Sequence, residues 1–238
     1  MPIPVSSSPP GTILLIGASR GLGHAIAAEF LTKGWNVVGT VRPGGTRTKL
    51  HELAEAFPGR VEIETLDINE PDQVAALRHR LAGRVFDMLF VNAGVTNNPR
   101  ETIADVSTEE FVRLMVTNAL SPMRVIEALQ DLVTETGLLG IMSSGQGSIA
   151  NNETGLREVY RGSKAALNMF MRSFAARHRD DPRALLLLAP GWVRTDMGGP
   201  QSVLSIAESI PNLADTIAAQ EGKAGLQYLD YLGRMVPW

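Results

Sequence analysis

The sequence predicts an α/β fold, in which a doubly wound, mostly parallel sheet carries helices on both faces. Short apolar runs rich in β-branched residues alternate with segments whose apolar residues recur at helical spacing, and the alternation continues along nearly the whole chain. This pattern favours parallel strands joined by crossover helices. In sheets of this kind, ligands bind at the carboxyl ends of the strands.

The composition excludes several classes of protein. The 238 residues are 44% hydrophobic and 20% charged, which argues against disorder and against a coiled coil. The chain has no cysteine, so disulfides, cysteine–zinc sites and cysteine nucleophiles are excluded. The net charge of −3 provides no basic field, and no apolar run reaches the roughly 18 residues of a membrane span. We therefore expect a cytoplasmic protein that binds neither nucleic acid nor membrane.

One domain is expected over residues 11–238, because no repeat, linker or low-complexity block interrupts them. Residues 1–10 contain four prolines and three serines and are expected to form a flexible tail. In the first half of the domain, a β-branched run between glycines predicts the first strand. The strands of this half are predicted over Thr12–Ile16, Asn36–Val41, Val61–Leu66 and Met88–Val91, and the helices over Gly23–Leu31, Lys49–Phe57 and Asp72–Leu81.

The second half begins with a long helical stretch over Thr108–Val133. Ser107 is its predicted N-cap, Glu110 completes a capping box, and Pro122 is placed to kink the helix. The remaining elements are strands over Leu138–Met142 and Arg183–Ala189, a helix over Glu158–Arg177 and a last short strand near Leu226–Tyr228.

A glycine-rich turn follows the first predicted strand. Glycines at this spacing let the backbone approach a pyrophosphate, which rests on the N-terminus of the next helix. The alternative is a tight turn without a ligand. The candidate cofactor contacts in this turn are Gly17, Ser19, Arg20, Gly21, Leu22 and Gly23.

The end of the second strand points to NADP(H) rather than NAD(H). NAD sites carry an acidic residue here for the ribose 2′-hydroxyl, yet no acid occurs between Asn36 and Lys49. Arg42 stands there instead, and Arg20 lies in the glycine turn. Two guanidinium groups suit a 2′-phosphate. The alternative is two solvated arginines at loop tips.

Tyr160 and Lys164 lie four residues apart in a predicted helix, so their side chains share one face. A phenol has a reference pKa near 10, and a neighbouring ammonium group lowers it. The pair therefore predicts a proton shuttle. The alternative is a half-buried tyrosine beside a surface lysine.

Several motifs together resemble the classical short-chain dehydrogenase/reductase family. They are residues 17–23, Asn92-Ala93-Gly94, Asn118, Ser143-Ser144, Tyr160 through Lys164, and Pro190-Gly191, in the family's order over nearly the whole chain. Residues 190–199 and the tail from Tyr228 to Trp238 resemble more narrowly the C-factor and sniffer-type carbonyl reductase branch. The resemblance implies a Rossmann-like fold.

The resemblance also implies catalytic roles. Tyr160 would give a proton to a carbonyl oxygen, Lys164 would lower the pKa of Tyr160 and bind the nicotinamide ribose, and Asn118 would hold a water in a proton relay. Ser144 would polarise the substrate carbonyl, with Ser143 as an alternative. The separation of Ser144 from Tyr160 is longer than in many members, so Ser148 is a further alternative.

The remaining cofactor contacts follow from the same resemblance. Asp67 and Ile68 would meet the adenine, and Asn92, Ala93 and Gly94 would lie near its ribose, although their role could be purely structural. The segment expected beside the nicotinamide comprises Pro190, Gly191, Val193 and Thr195. Trp192 is expected either to line the pocket or to pack in the core.

The expected activity is NADP(H)-dependent hydride transfer to or from a small-to-medium, fairly apolar carbonyl or alcohol. Residues 197–221 are expected to form a mobile lid over the site. The alternatives are a 3-oxoacyl-carrier-protein reductase, docking through Arg172, Arg177, His178 and Arg179, and a non-enzymatic nucleotide-sensing protein. No metal site is expected. The resemblance implies a homodimer or homotetramer formed through the two long helices.

Overall fold

The computed structural model describes residues 10–238 and contains a seven-stranded, entirely parallel sheet. The predicted tail therefore lies, except for Pro10, outside the described residues. The strands are β1 (Thr12–Ile16), β2 (Asn36–Val41), β3 (Val61–Thr65), β4 (Phe86–Val91), β5 (Val133–Met142), β6 (Ala184–Ala189) and β7 (Gly225–Asp230). The helices are α1 (Gly21–Thr32), α2 (Lys49–Ala56), α3 (Pro71–Arg80), α4 (Thr108–Met115), α5 (Ser121–Leu129), α6 (Glu158–Arg177) and α7 (Ile206–Ala218).

The strand order is β3-β2-β1-β4-β5-β6-β7. Strand β1 lies between β2 and β4, so the chain reverses its direction of winding at the β1–β4 boundary. In this register, Ile16 at the end of β1 stands beside Val91 at the end of β4. A crevice opens outside the carboxyl ends of strands at such a switch point. The predicted doubly wound fold is thus confirmed.

Two apolar layers cover the sheet. Residues such as Leu89, Ile126 and Met171 join one face to α3, α5 and α6. Phe30 and Leu213, from α1 and α7, pack against the other face. The central strands are buried on both sides, which explains their continuous apolar runs.

The predicted helix over Thr108–Val133 is interrupted and ends early. One π-helical turn, Val116–Leu120, separates α4 from α5, a 3-10 turn follows α5, and β5 already begins at Val133. Pro122 lies in the first turn of α5, where its missing N–H is tolerated. Ser107 does cap α4, but the side chain of Glu110 binds Arg113 instead of completing a capping box.

Most of the predicted lid is a helix packed into the core. Ser205 and Glu208 form a capping box that begins α7. Ile210 and Leu213 are buried against the sheet and are unavailable to a substrate. The part of the predicted lid that precedes Ser205 forms neither a helix nor an extended strand.

Within residues 10–238, no helix combines the length and apolarity needed to span a membrane. Nor do three or more His, Asp or Glu side chains in this part of the chain come together as a metal site would require.

Candidate active site

The glycine turn joins β1 directly to α1. Gly17 and Gly21 have φ of +88° and +57°, a region that favours glycine. A Cβ at Gly23 would lie 2.0 Å from the Gly17 carbonyl oxygen and 2.6 Å from Nδ2 of Asn92. Helix α1 therefore begins in contact with the turn, and only glycine fits at position 23.

Two neighbouring strands hold this turn in place. Thr40, at the end of β2, accepts the Gly17 N–H on its Oγ1 at 2.9 Å and the Ala18 N–H on its carbonyl at 2.9 Å. Asn92, after β4, donates from Nδ2 to the Gly17 carbonyl at 3.0 Å. Thr40 could not be predicted, because a single β-branched residue in a strand gives no signal. Asn92 was predicted from its motif, and it has a structural role here.

A cleft of about 420 Å³ runs along the carboxyl ends of the strands. Its wall includes every residue predicted to contact the cofactor except Gly23, Gly191 and Val193. Tyr160 and Lys164 lie on this wall, so the predicted proton shuttle and the glycine turn share one cavity. The cleft residues that the sequence interpretation did not assign to the cofactor are Thr40, Val41, Leu66, Asn69, Val95, Arg113, Thr117, Met142, Ser143, Asp196 and Met197.

Cationic side chains predominate on the cleft wall. Arg20, Arg42, Arg113 and Lys164 face only two carboxylates, those of Asp67 and Asp196. The Arg20 guanidinium lies 3.4 Å from the Asp196 carboxylate, and both side chains are largely exposed. Arg42 is exposed at the end of β2 and makes no ion pair within residues 10–238. Such a surface fits a phosphate-rich dinucleotide.

The loop after β3 is tied to the π-helical turn. Asp67 accepts the Asn69 N–H on Oδ1 at 2.9 Å. Asn69 in turn donates to Oγ1 of Thr117 at 3.1 Å and accepts from Oγ of Ser121 at 2.9 Å. These contacts fix Asp67 and Ile68 at the cleft wall. Asn69 was missed because its two partners are about 50 residues away in the sequence.

Asn118 lies within the π-helical turn and is completely buried. Its amide bonds both the N–H and the carbonyl of Val95, at 2.8 and 2.9 Å, and Oγ of Ser163 at 2.9 Å. Both N–H groups of the side-chain amide are therefore occupied, and Oδ1 accepts one hydrogen bond. Because residue 122 is proline, no N–H four residues further on is available to the Asn118 carbonyl oxygen.

The three candidate serines have different partners. Ser143 is buried and donates to Oδ1 of Asn168 at 2.6 Å. Ser148 is also buried, and its Oγ accepts the Asn151 N–H at 3.1 Å. Ser144 is half-buried, and its Oγ accepts the Gln146 N–H at 3.1 Å. Of the three hydroxyl protons, only that of Ser143 is used in these hydrogen bonds.

Burial dominates the electrostatics of Tyr160 and Lys164. Lys164 is only 3% exposed, it donates to the Met142 carbonyl at 2.9 Å, and burial lowers its pKa to about 8. Burial raises the pKa of the Tyr160 phenol, while the Ser144 side chain and the Arg157 charge lower it. The spacing of Tyr160 and Lys164 predicted that the lysine sets the pKa of the phenol and lowers it. In the structure, desolvation outweighs the charges around the phenol.

Arg157 precedes α6 in a left-handed backbone conformation, with φ of +60°. No other non-glycine residue within residues 10–238 has a positive φ. This backbone conformation raises the conformational energy of a non-glycine residue by roughly 1–2 kcal/mol. The Arg157 N–H donates to the Pro99 carbonyl at 3.2 Å, which ties the start of α6 to the loop after β4. Nothing in the sequence signalled this strain.

Part of the segment after β6 shares the cleft with Tyr160 and Lys164. Gly191 has φ of +81°, and a Cβ there would lie 2.6 Å from Leu204. Val193 pairs with Leu204 in an isolated bridge, and Thr195 accepts the Gly198 N–H on Oγ1 at 3.1 Å. Trp192 is 46% exposed and is absent from the cleft wall, so neither expectation for it holds.

The chain belongs to the short-chain dehydrogenase/reductase family of oxidoreductases. A family model described as enoyl-(acyl carrier protein) reductase matches residues 17–219, which include the glycine turn and the Tyr160–Lys164 pair.

Three known proteins illustrate the relationship. The crystal structure of a protein described as a short-chain dehydrogenase/reductase from Burkholderia multivorans, with bound NADP, is 67% identical, covers 97% of this chain and 100% of its own, and has a TM-score of 0.95. The C-signal protein of Myxococcus xanthus is 36% identical over 64% of this chain and 92% of its own. The carbonyl reductase Sniffer of D. melanogaster is 26% identical over 96% of this chain and 100% of its own, with a TM-score of 0.87. The predicted family and branch are thus confirmed.

The buried amine of Lys164 predicts a pH-dependent stability. Unfolded, Lys164 binds a proton below its ordinary pKa of 10.5, and folded only below about 8. Between these values the unfolded state holds more protons, so the free energy of unfolding rises with pH. Lys164→Met removes this contribution. The difference in unfolding free energy, native protein minus variant, should therefore rise by about 1 kcal/mol per pH unit near pH 9.

Urea denaturation between about pH 8 and pH 10 measures this difference. Lys223→Met, at an exposed lysine, is the matched control. If the Lys164→Met stabilities ran parallel to those of the native protein across this range, the lowered pKa of Lys164 would be wrong.

Proposed function

We propose that the protein is an NADPH-dependent carbonyl reductase, with Ser144, Tyr160 and Lys164 acting on a substrate carbonyl. One observation carries the proposal: a single cleft holds the Tyr160–Lys164 pair together with the glycine turn and Arg42. A protein that only binds a nucleotide has no need of a hydroxyl donor and a proton donor beside the site. The relatives named as carbonyl reductase and as an NADP complex add support.

The residues of the cleft fit NADPH. The glycine turn brings backbone N–H groups and the start of α1 to a pyrophosphate. Arg42 and Arg20 would hold the 2′-phosphate, Asp67 and Ile68 the adenine, and Asn92, Ala93 and Gly94 its ribose. Lys164 would hold the nicotinamide ribose, with the backbone of 190–195 beside the ring. When bound, NADPH supplies the hydride that the carbonyl carbon receives.

Tyr160 is the proposed proton donor. Its raised pKa keeps the phenol protonated at neutral pH, as carbonyl reduction requires. Lys164, buried one helical turn away, would stabilise the phenolate left behind. Because the N–H groups of the Asn118 side chain are occupied, we assign the proposed part of Asn118 in the proton relay to its backbone carbonyl oxygen.

Ser144 is the proposed hydrogen-bond donor to the carbonyl oxygen. Negative charge builds on this oxygen during reduction, and a preorganised hydroxyl stabilises it where it develops. Ser143 lines the cleft, but its hydroxyl proton is donated to Asn168, and Ser148 is almost completely buried. Of the three, Ser144 alone also influences the Tyr160 phenol. These contacts favour Ser144.

Apolar side chains on the cleft wall support the proposed substrate class. Val95, Met142 and Met197 line the cleft, which supports a small-to-medium, fairly apolar carbonyl compound. The reverse reaction, oxidation of the alcohol, uses the same groups.

The carrier-protein alternative has less support, although the matching family description names such a reductase. In the proposed docking patch, Arg177 pairs with Glu127, and the Arg172 guanidinium lies over the Trp238 ring at 4.7 Å. Two of its cations are therefore engaged within the chain. The sensing alternative would require binding without turnover.

We also propose a homodimer or homotetramer formed through α4 and α6, which pack side by side. Their outer surface exposes Phe111 and Val112 on α4 and Met169 and Phe170 on α6, with Met169 60% and Phe170 44% exposed. Large exposed apolar side chains on two packed helices are typical of an interface between subunits. A single domain over residues 11–238 and a cytoplasmic location stay predictions.

The proposed activity is tested first with the unmodified protein. Nicotinamide fluorescence during titration with NADPH and with NADH reports binding, and absorbance of the reduced nicotinamide reports turnover of a panel of aldehydes and ketones. Tighter binding of NADPH with turnover is expected. Binding without any turnover would favour the sensing alternative.

Tyr160→Phe should lower kcat by roughly 100- to 10,000-fold, because it removes the proton donor and keeps the ring. The dissociation constant for NADPH should stay within about twofold of the native value. Steady-state kinetics and fluorescence titration measure the two quantities. Nearly native activity would eliminate Tyr160 as the acid.

Arg42→Ala should weaken NADPH binding roughly 10- to 100-fold and leave NADH binding nearly unchanged, because only NADPH carries the 2′-phosphate. The matched control is Arg47→Ala, since Arg47 pairs with Glu55 and lies outside the cleft wall. Equal losses for both nucleotides would show that Arg42 does not read the phosphate.

Phe170→Glu should convert the oligomer to a monomer, because it places a charge in the apolar surface of α4 and α6. Analytical ultracentrifugation measures the mass. Val85→Glu, at an exposed apolar residue before β4, is the control. An unchanged oligomer mass in Phe170→Glu would exclude this surface as the interface.

A further inference from the structure

A side chain of strand β7 contacts the backbone of Ser144, the proposed hydrogen-bond donor to the substrate. The Tyr228 side chain is 3% exposed, and its hydroxyl donates to the carbonyl oxygen of Ser144. The two residues are 84 positions apart in the chain. The Tyr228 hydroxyl is therefore directed at the backbone of Ser144.

The Ser144 carbonyl oxygen accepts two hydrogen bonds, which together hold the turn that follows it. The Gly147 N–H donates to it at 2.9 Å from inside the 3-10 turn Gly145–Gly147. The Tyr228 hydroxyl supplies the second bond, and a carbonyl oxygen has two lone pairs to receive them. The turn therefore cannot rotate about Ser144 without leaving a buried donor unpaired, which is costly.

A second side chain holds the same turn at both ends. Asn168, on α6, accepts from Oγ of Ser143 at 2.6 Å and donates to the Gly147 carbonyl at 3.3 Å. Asn168 thus contacts residues on either side of Ser144, and Tyr228 contacts Ser144 itself. Both side chains are buried.

The tail after β7 secures Tyr228. Its carbonyl accepts the Val236 N–H at 2.9 Å, and the Trp238 ring packs against its ring with centroids 5.3 Å apart. The Trp238 carbonyl accepts the Ala150 N–H at 3.1 Å, just beyond the serine turn. The tail therefore joins β7 to the loop that carries Ser144.

We infer that Tyr228 is a positioning residue for the reaction: its hydroxyl fixes the backbone of Ser144 so that the Ser144 hydroxyl points at the substrate carbonyl. The inference rests on the proposed function, in which Ser144 donates to that carbonyl. Burial raises the pKa of Tyr228, so the phenol remains a donor at neutral pH.

A double-mutant cycle separates positioning from general structural support. Tyr228→Phe should lower kcat roughly three- to tenfold with little change in KM, the effect of losing one hydrogen bond. In a Ser144→Ala background, the same substitution should have no further effect on kcat, because the hydroxyl that Tyr228 positions is gone. Tyr231→Phe is the matched control, since no hydrogen bond of its hydroxyl occurs among the described residues.

Equal losses of kcat in both backgrounds would overturn the inference, as would no loss in either. The dissociation constant for NADPH should stay within about twofold of the native value in each variant. If the native protein reduced no carbonyl compound, the proposed function would be wrong. A second measurement, which needs no turnover, then tests whether Tyr228 holds the turn.

Amide hydrogen exchange provides that measurement without any turnover. Tyr228→Phe should speed exchange of the Gly147 and Ser148 amides by roughly tenfold, because both N–H groups donate within the turn. Tyr231→Phe should leave these amides unchanged. Unchanged exchange in Tyr228→Phe would show that the hydroxyl does not hold the turn.

Discussion

The rest of the site depends on the contact between the first turn of α1 and the end of β1. A Cβ at Gly23 would lie 2.0 Å from the Gly17 carbonyl oxygen, so the helix can begin this close to the turn only because residue 23 has no side chain. That approach lets Thr40 and Asn92 bond the turn from the strands on either side. The cleft then opens between β1 and β4 with the helix N-terminus aimed into it. A side chain at position 23 would therefore disturb three strands at once.

Local signals in the sequence predicted most of the fold and part of the site. Strands β1 and β2 lie where the β-branched runs placed them, because buried parallel strands leave continuous apolar segments. The spacing of Tyr160 and Lys164 correctly predicted two side chains on one cleft wall. These features depend on residues close together in the chain, which pattern reading can detect.

Features that depend on distant contacts escaped prediction. Thr40, Asn69 and Arg157 act through partners on other elements, and nothing near them in sequence marks those partners. Helix α7 could have been foreseen from the Ser205–Glu208 capping box, but its Gly- and Pro-rich flank favoured a loop. The raised pKa of Tyr160 was missed for another reason: a charge pair can be read from spacing, whereas desolvation depends on the whole packed surroundings.

The π-helical turn has a consequence for how this chain tolerates change. A π-helical turn amounts to one extra residue inserted in an α-helix, and each helical residue rotates the face by about 100°. Asn118 reaches Val95 and Ser163 only because the helix is out of phase at this point. Deleting one residue between Val116 and Leu120 would restore a regular helix and turn either α4 or α5 away from its partners. Length, more than residue identity, is the constrained property of this segment.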